Sequence, residues 1–160
     1  METVSILVDV QNVYYTTKQI HRRGFDYNYF WSKATANRQV LNAAAYSTER
    51  GDEKQKQFQN ILRAIGFEVK LKPFIQRADG SAKGDWDVGI TLDAMDYAES
   101  SDVIVLVSGD GDFSVLIDRM KSKYGVKVEV YGVAQLTARS LMSAATRFIP
   151  IEDRFLMSRE

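Results

Sequence analysis

Val103-Ile-Val-Leu-Val107, followed directly by Ser108-Gly-Asp-Gly-Asp-Phe113, decides how this chain is read. Five consecutive apolar residues, mostly β-branched and closed by a glycine turn, predict a strand buried on both faces. Such strands belong to parallel sheets. The next stretch, Phe113 to Lys123, reads as a helix with Val115, Leu116, Ile117 and Met120 turned inward. The same order recurs at the start of the chain. Val4-Ser-Ile-Leu-Val8 is a buried-strand pattern, Asp9-Val-Gln-Asn12 follows it, and a helix from about Asn12 to Arg23 closes at Gly24. In an open α/β sheet, ligands bind in the crevice outside the carboxyl ends of the strands. Two strands that each end on an acid therefore point to one edge.

Between these landmarks the pattern alternates. Asp26 to about Ala36 predicts a short helix, and Val40 to Tyr46 a strand. Asp52 is a helix cap, and Phe58, Ile61, Leu62 and Ile65 form an i, i+3, i+4, i+7 stripe that ends at Gly66. Phe67 to Pro73 alternates with period two, as a half-exposed strand near the sheet edge does. Gln76 to Gly84 is a polar loop. A helix then starts at Asp85 or Asp87 and reaches about Glu99, burying Ile90, Ala94 and Ala98. Val126 to Tyr131 is a strand, Gln135 to Ala145 a helix, and Phe148 to Ile151 a last extended segment. Strands alternating with helices make a mainly parallel sheet covered on both faces, so the fold class is α/β.

The 160 residues suit a single domain, 1–160, with one core. No cysteine is present, which excludes disulfides and thiolate metal sites. Met1-Glu-Thr-Val4 enters a strand with no basic, then apolar, leader, and no apolar run approaches the ~18 residues of a membrane span. A soluble, cytoplasmic protein without membrane contact is expected. The 21 basic and 21 acidic residues cancel, so any contact with nucleic acid rests on a local patch.

The acids carry the chemistry. Asp9 and Asn12 suit either an edge site or an N-cap. Asp112 suits a helix cap, which leaves Asp110 over as the functional candidate. Asp85 and Asp87 stand at a helix start beside Lys83 and Gly84. Asp93 lies six residues past Asp87, about 240° round a helix, so the two point apart. Asp87 is the choice for a ligand, and Asp93 and Asp96 are expected behind the site or in solvent. Carboxylates gathered at one edge repel unless a cation or shared proton compensates, and hard cations such as Mg²⁺ take oxygen ligands. His21, the single histidine, sits at a polar helix end and gives a serine–histidine mechanism little support. Neither a G-x-x-x-x-G-K-[ST] loop nor a G-x-G-x-x-G turn occurs, so nucleotide cofactors are not indicated. Arg22, Arg23, Lys70, Lys72, Arg77, Lys83 and Arg139 are candidate basic contacts. Tyr14, Tyr15 and Trp86 are candidate stacking residues, with core packing as the alternative.

Taken together, Val8-Asp-Val-Gln-Asn12, Lys83-Gly-Asp-Trp-Asp-Val-Gly89 and Val107-Ser-Gly-Asp-Gly-Asp-Phe113 resemble the NYN family of PIN-like ribonucleases, in particular its LabA-like branch. The likeness spans nearly the whole chain. It implies a three-layer α/β/α sandwich of PIN-like type and an Mg²⁺- or Mn²⁺-dependent site that hydrolyses RNA phosphodiester bonds, with single-stranded RNA as the partner. Carried over by position, Asp9, Asp87, Asp110 and Asp112 are the catalytic and metal-binding acids. Asp85 is an extra candidate ligand, and Asn12 and Ser108 orient ligands or phosphate. From the residues themselves, Lys83 adds positive charge at the phosphate.

Two other readings compete. Gly109-Asp-Gly-Asp112 also resembles the acidic loop of haloacid-dehalogenase-like phosphatases, but those need a second acid two residues after the first, where this chain has Gln11. A non-catalytic RNA-binding or regulatory module is the other alternative. A homodimer through the aromatic segment Tyr27–Trp31 is a further expectation.

Overall fold

The computed structural model describes residues 1–73, 75–76, 82–83 and 85–158. β1 (Glu2–Asp9) leads through α1 (Val10–His21) and α2 (Tyr27–Ala34) to β2 (Arg38–Glu49), then through α3 (Glu53–Ile65) to β3 (Glu68–Pro73). A small antiparallel pair follows, β4 (Ile75–Gln76) and β5 (Ala82–Lys83). The chain continues through α4 (Asp87–Ser100), β6 (Val103–Val107), α5 (Ser114–Tyr124), β7 (Lys127–Gly132), α6 (Arg139–Ala144) and β8 (Arg147–Pro150).

Six strands form one sheet of order β3-β2-β1-β6-β7-β8, with every neighbouring pair parallel. The chain builds outward from β1 to β3, returns to the other side of β1 with β6, and builds outward again to β8. The order therefore reverses between β1 and β6, the switch point at which open α/β sheets leave a crevice.

Strand alternation sorts the core into two layers. Val4, Ile6 and Val8 of β1 and Val103, Val105 and Val107 of β6 pack with α1, α2 and Leu62 of α3. Leu7 of β1 and Ile104 and Leu106 of β6 face the other way, against α4, α5 and α6. With helices on both faces the architecture is a three-layer α/β/α sandwich of PIN-like type. Among the described residues, no helix is long and apolar enough to cross a membrane.

Asp52 caps α3 as expected, accepting the Gln55 N–H at 2.8 Å, and Ile90, Ala94 and Ala98 are the buried face of α4. Several expectations need correction. α1 ends at Arg22, which takes the left-handed conformation (φ 55°) and donates its N–H to Lys18 O, so Gly24 is not the cap. Val115 is 75% exposed, because α5 presents Leu116, Ile117 and Met120 to the sheet. Ile61 is 53% exposed, at the margin of the α3 stripe. The helix expected over 135–145 is split into one 3₁₀ turn, Ala134–Leu136, and the short α6. Thr137 and Ala138 are extended between them and pack on the loop after β6. The aromatic segment Tyr27–Trp31 is folded inward. Tyr27 and Phe30 are buried against Phe25 and Trp31 packs edge-on against Phe67, while Asn28 is exposed and Tyr29 half-buried.

Candidate metal centre

β1 delivers Asp9 to the carboxyl edge, one residue past its buried run, and α1 begins at the next residue. The Asp9 carboxylate accepts the Asn12 backbone N–H at 3.4 Å and the Ser108 hydroxyl at 3.1 Å. It is at once a helix cap and an edge acid. The Asn12 side chain does not turn back to that carboxylate. Its Oδ1 accepts the Gly109 N–H at 2.9 Å and ties the turn after β1 to the loop after β6.

That loop is tightly made. Ser108 is buried, donates its N–H to Tyr131 O at 3.0 Å, and accepts the Asp110 N–H on its hydroxyl at 3.2 Å. Asp110 accepts the Asp112 N–H at 2.9 Å and so caps the 3₁₀ turn Gly111–Phe113. The cap expected of Asp112 is made by Asp110 instead. The helical turn starts earlier than expected, so Asp110 caps it and Asp112 is exposed. The two glycines serve close approach rather than an unusual backbone angle. A Cβ on Gly109 would lie 3.0 Å from Leu136 O, and one on Gly111 would lie 2.8 Å from Ala138 Cβ.

α4 brings the third element. Asp87 is its first residue, and Asp85 accepts the Asp87 N–H at 3.2 Å. Trp86 is held in place. Its ring packs on Tyr46 at 5.3 Å, its Nε1 donates to Ser47 O at 2.8 Å, and Lys72 Nζ sits 4.6 Å from its centroid. Trp86 is thus occupied in fixing the helix start. Lys72 also donates to the Asp85 carbonyl at 3.0 Å.

These elements converge. One carboxylate oxygen from each of Asp87, Asp110 and Asp112 lies within 4.8 Å of the others. Oxygen ligands about 2.0–2.6 Å from a hard cation lie up to ~4–5 Å apart across it, so this triad has the spacing to hold a metal ion. Its electrostatics point the same way. Burial pushes the Asp87 carboxyl up to about 7, helped by the neighbouring carboxylate of Asp110 and then by Asp85 and Asp9. Asp9 is pushed up to about 6, by burial first; the bonds from Ser108 and Asn12 oppose the rise, and Asp110 and Asp85 add to it. Charges raised in this way are compensated by a cation or a shared proton.

Of the four acids expected as ligands, three form the triad and Asp9 stands behind it, joined through Ser108. Asp85 is exposed beside it. Asp93 faces elsewhere, as the helix angle requires, and meets Lys70 Nζ and the Tyr46 hydroxyl, each at 2.7 Å. The Lys83 and Arg77 side chains lie outside the described residues. Arg23 donates to Met157 O and Leu156 O, remote from the acids. Three neighbours of the site were not read from the sequence. Tyr27 is buried where the Asp9 charge acts on it. Thr137 and Ala138 brace the acidic loop, and the only available signal was the cluster of small residues breaking the last helical pattern.

Comparison with known proteins adds three observations. The family model described as NYN domain matches residues 3–152. The chain is 30% identical over 160 residues to "Low amplitude and bright protein LabA" of Synechococcus elongatus, covering 94% of this chain and 84% of that one. It superposes with a TM-score of 0.94 on the crystal structure of a protein of unknown function, VPA0982, from Vibrio parahaemolyticus. The two are 56% identical, and 98% of this chain and 96% of that one are covered.

Proposed function

Because the chain belongs to the NYN domain family, whose fold is that of PIN-like nucleases, we propose that residues 1–160 act as a single-domain ribonuclease dependent on Mg²⁺ or Mn²⁺. The observation that carries this reading is the convergence of Asp87, Asp110 and Asp112 within 4.8 Å at the switch point of the sheet. These three hold the ion. Asp9 completes the acidic set, with Asp85 as an outer carboxylate. A bound divalent ion supplies an oriented water of lowered pKa and neutralises charge on the phosphoryl group. The chain's own contribution is geometry. Ser108 and Asn12, expected from the sequence at the phosphate, act here by fixing Asp9 and the Gly109–Asp112 loop in one arrangement. Lys83 adds charge for the phosphate. RNA in single-stranded form is the substrate, and the cytoplasm is the compartment.

The test is cleavage of end-labelled single-stranded RNA by the purified chain, with Mg²⁺ or Mn²⁺ against EDTA, and with Asp110→Asn alongside. Metal-dependent cleavage that the variant loses is the expected result. No cleavage of structured or unstructured RNA with either metal would overturn the enzyme reading in favour of a non-catalytic RNA-binding module.

A further inference from the structure

Beside the acidic cluster, on the α1 side, lies a cavity of about 370 Å³ floored by the end of β2 and walled by α1 and α3. Val10 and Gln11, which immediately follow Asp9 in the chain, form its near wall. Its volume falls within the range of small-ligand sites. Tyr14 and Tyr15 line it although they are 56% and 51% exposed, with their rings edge-to-face at 5.5 Å. Exposed aromatics beside a phosphate-handling site are the surface on which unpaired bases stack. Arg50 and Lys54 also line the cavity. Its acid, Asp52, has its carboxylate turned to the Gln55 N–H at the start of α3, at 2.8 Å. Lys54 brings a positive charge to the cavity wall.

We propose that this hollow is a nucleobase subsite. It takes an unpaired base of the strand whose phosphate lies at the acidic cluster. Tyr14 and Tyr15 supply the stacking rings, and Lys54 the contact to the flanking phosphate. A base inside a duplex has both faces covered by its neighbours and cannot enter, so the subsite selects single-stranded RNA. The identity of the strand rests on the ribonuclease reading, but occupancy of the hollow is measured without turnover.

The experiment is a titration of fluorescently labelled single-stranded and duplex RNA oligonucleotides with the full chain, in EDTA and in Ca²⁺, across a range of salt. The Tyr14→Ala/Tyr15→Ala pair is expected to weaken single-strand binding roughly 5- to 150-fold, the loss of one stacked base. The Tyr14→Phe/Tyr15→Phe pair should restore it, because the ring and not the hydroxyl does the work. Lys54→Ala, at an exposed helix position, should reduce the salt slope by about one contact. Unchanged affinity in the alanine pair, an unmoved salt slope in Lys54→Ala, or equal binding of duplex RNA would each overturn the subsite. Failure of the two readings is separable. Binding through the hollow without cleavage in Mg²⁺ or Mn²⁺ removes the nuclease and leaves the subsite. Cleavage indifferent to both tyrosines removes the subsite and leaves the nuclease.

Discussion

The two ends of the sheet handle charge in opposite ways. At the amino end, Arg38 reaches Glu2 at 2.9 Å and Glu129 at 2.8 Å, joining the starts of β1 and β2 to β7, and Asp102 accepts both the N–H and the hydroxyl of Thr3. Every acid named there has a donor. At the carboxyl end, Asp87, Asp110 and Asp112 converge with Asp9 behind them, and among the described residues their partners are backbone N–H groups, one serine and other carboxylates. Among the described residues, the same sheet balances the charge of one end internally and gathers like charges at the other. A single helix repeats the contrast, since Asp93 of α4 is paired with Lys70 while Asp87 meets Asp110.

That contrast can be broken at either end. The largest effect is expected from Asp110→Asn, which should cut RNA cleavage by ~10²–10³-fold, the scale seen when a preorganised charge-stabilising group is removed. The unfolding midpoint in EDTA should stay level or rise, because one repelling charge is gone. A large fall in that midpoint would mean that Asp110 is a structural acid. Arg38→Ala should do the reverse, costing roughly 2–4 kcal/mol in chemical denaturation by stranding the largely buried Glu129, while Glu2 keeps Lys127 at 3.8 Å, and sparing the catalytic rate at saturating RNA.

A third prediction concerns pH. Asp9 and Asp87 bind their protons more tightly in the folded chain than at the ordinary value of 3.8, at about 6 and about 7. The native state therefore holds more protons than the unfolded state in this window, and metal-free stability must fall as pH rises from about 4 to about 7. Asp9 alone accounts for ~3 kcal/mol of that fall. Asp87 adds less than its own value implies, because it is only half-buried. Denaturation midpoints in EDTA across this range measure the slope, and Mg²⁺ or Mn²⁺ should flatten it. A midpoint that climbs with pH in EDTA would contradict the picture. The smallest effect belongs to Lys70→Met, which removes a quarter-exposed partner of Asp93 and should cost only about 1 kcal/mol with cleavage unchanged.

Much of this arrangement was legible beforehand, for physical reasons. Val103–Val107 could only be a doubly buried strand, and the acid after each such strand had to fall on the carboxyl edge. The helix angle between Asp87 and Asp93 correctly separated a ligand candidate from an acid that points away. What escaped the sequence were decisions made by tertiary contacts. Which of Asp110 and Asp112 caps the turn depends on where the 3₁₀ turn begins. The break at Thr137–Ala138 exists because that strand of chain must lie against Gly109 and Gly111, a constraint no local propensity encodes. Val115 and Ile61 looked inward because an apolar residue near a stripe carries no mark of which side the helix will turn.

The acidic cluster has no single home in the chain. Asp9 comes from the first half of the sheet, Asp110 and Asp112 from the second, and Asp87 from the helix that joins them, and the Ser108–Asp9 bond spans 99 residues. During synthesis the first acid leaves the ribosome long before the last. A chain paused anywhere short of Asp112 holds fewer than the three carboxylates of the triad. For the ribonuclease proposed above, made on an RNA machine from an RNA message, this order keeps the active centre unassembled until the chain is out as far as Asp112.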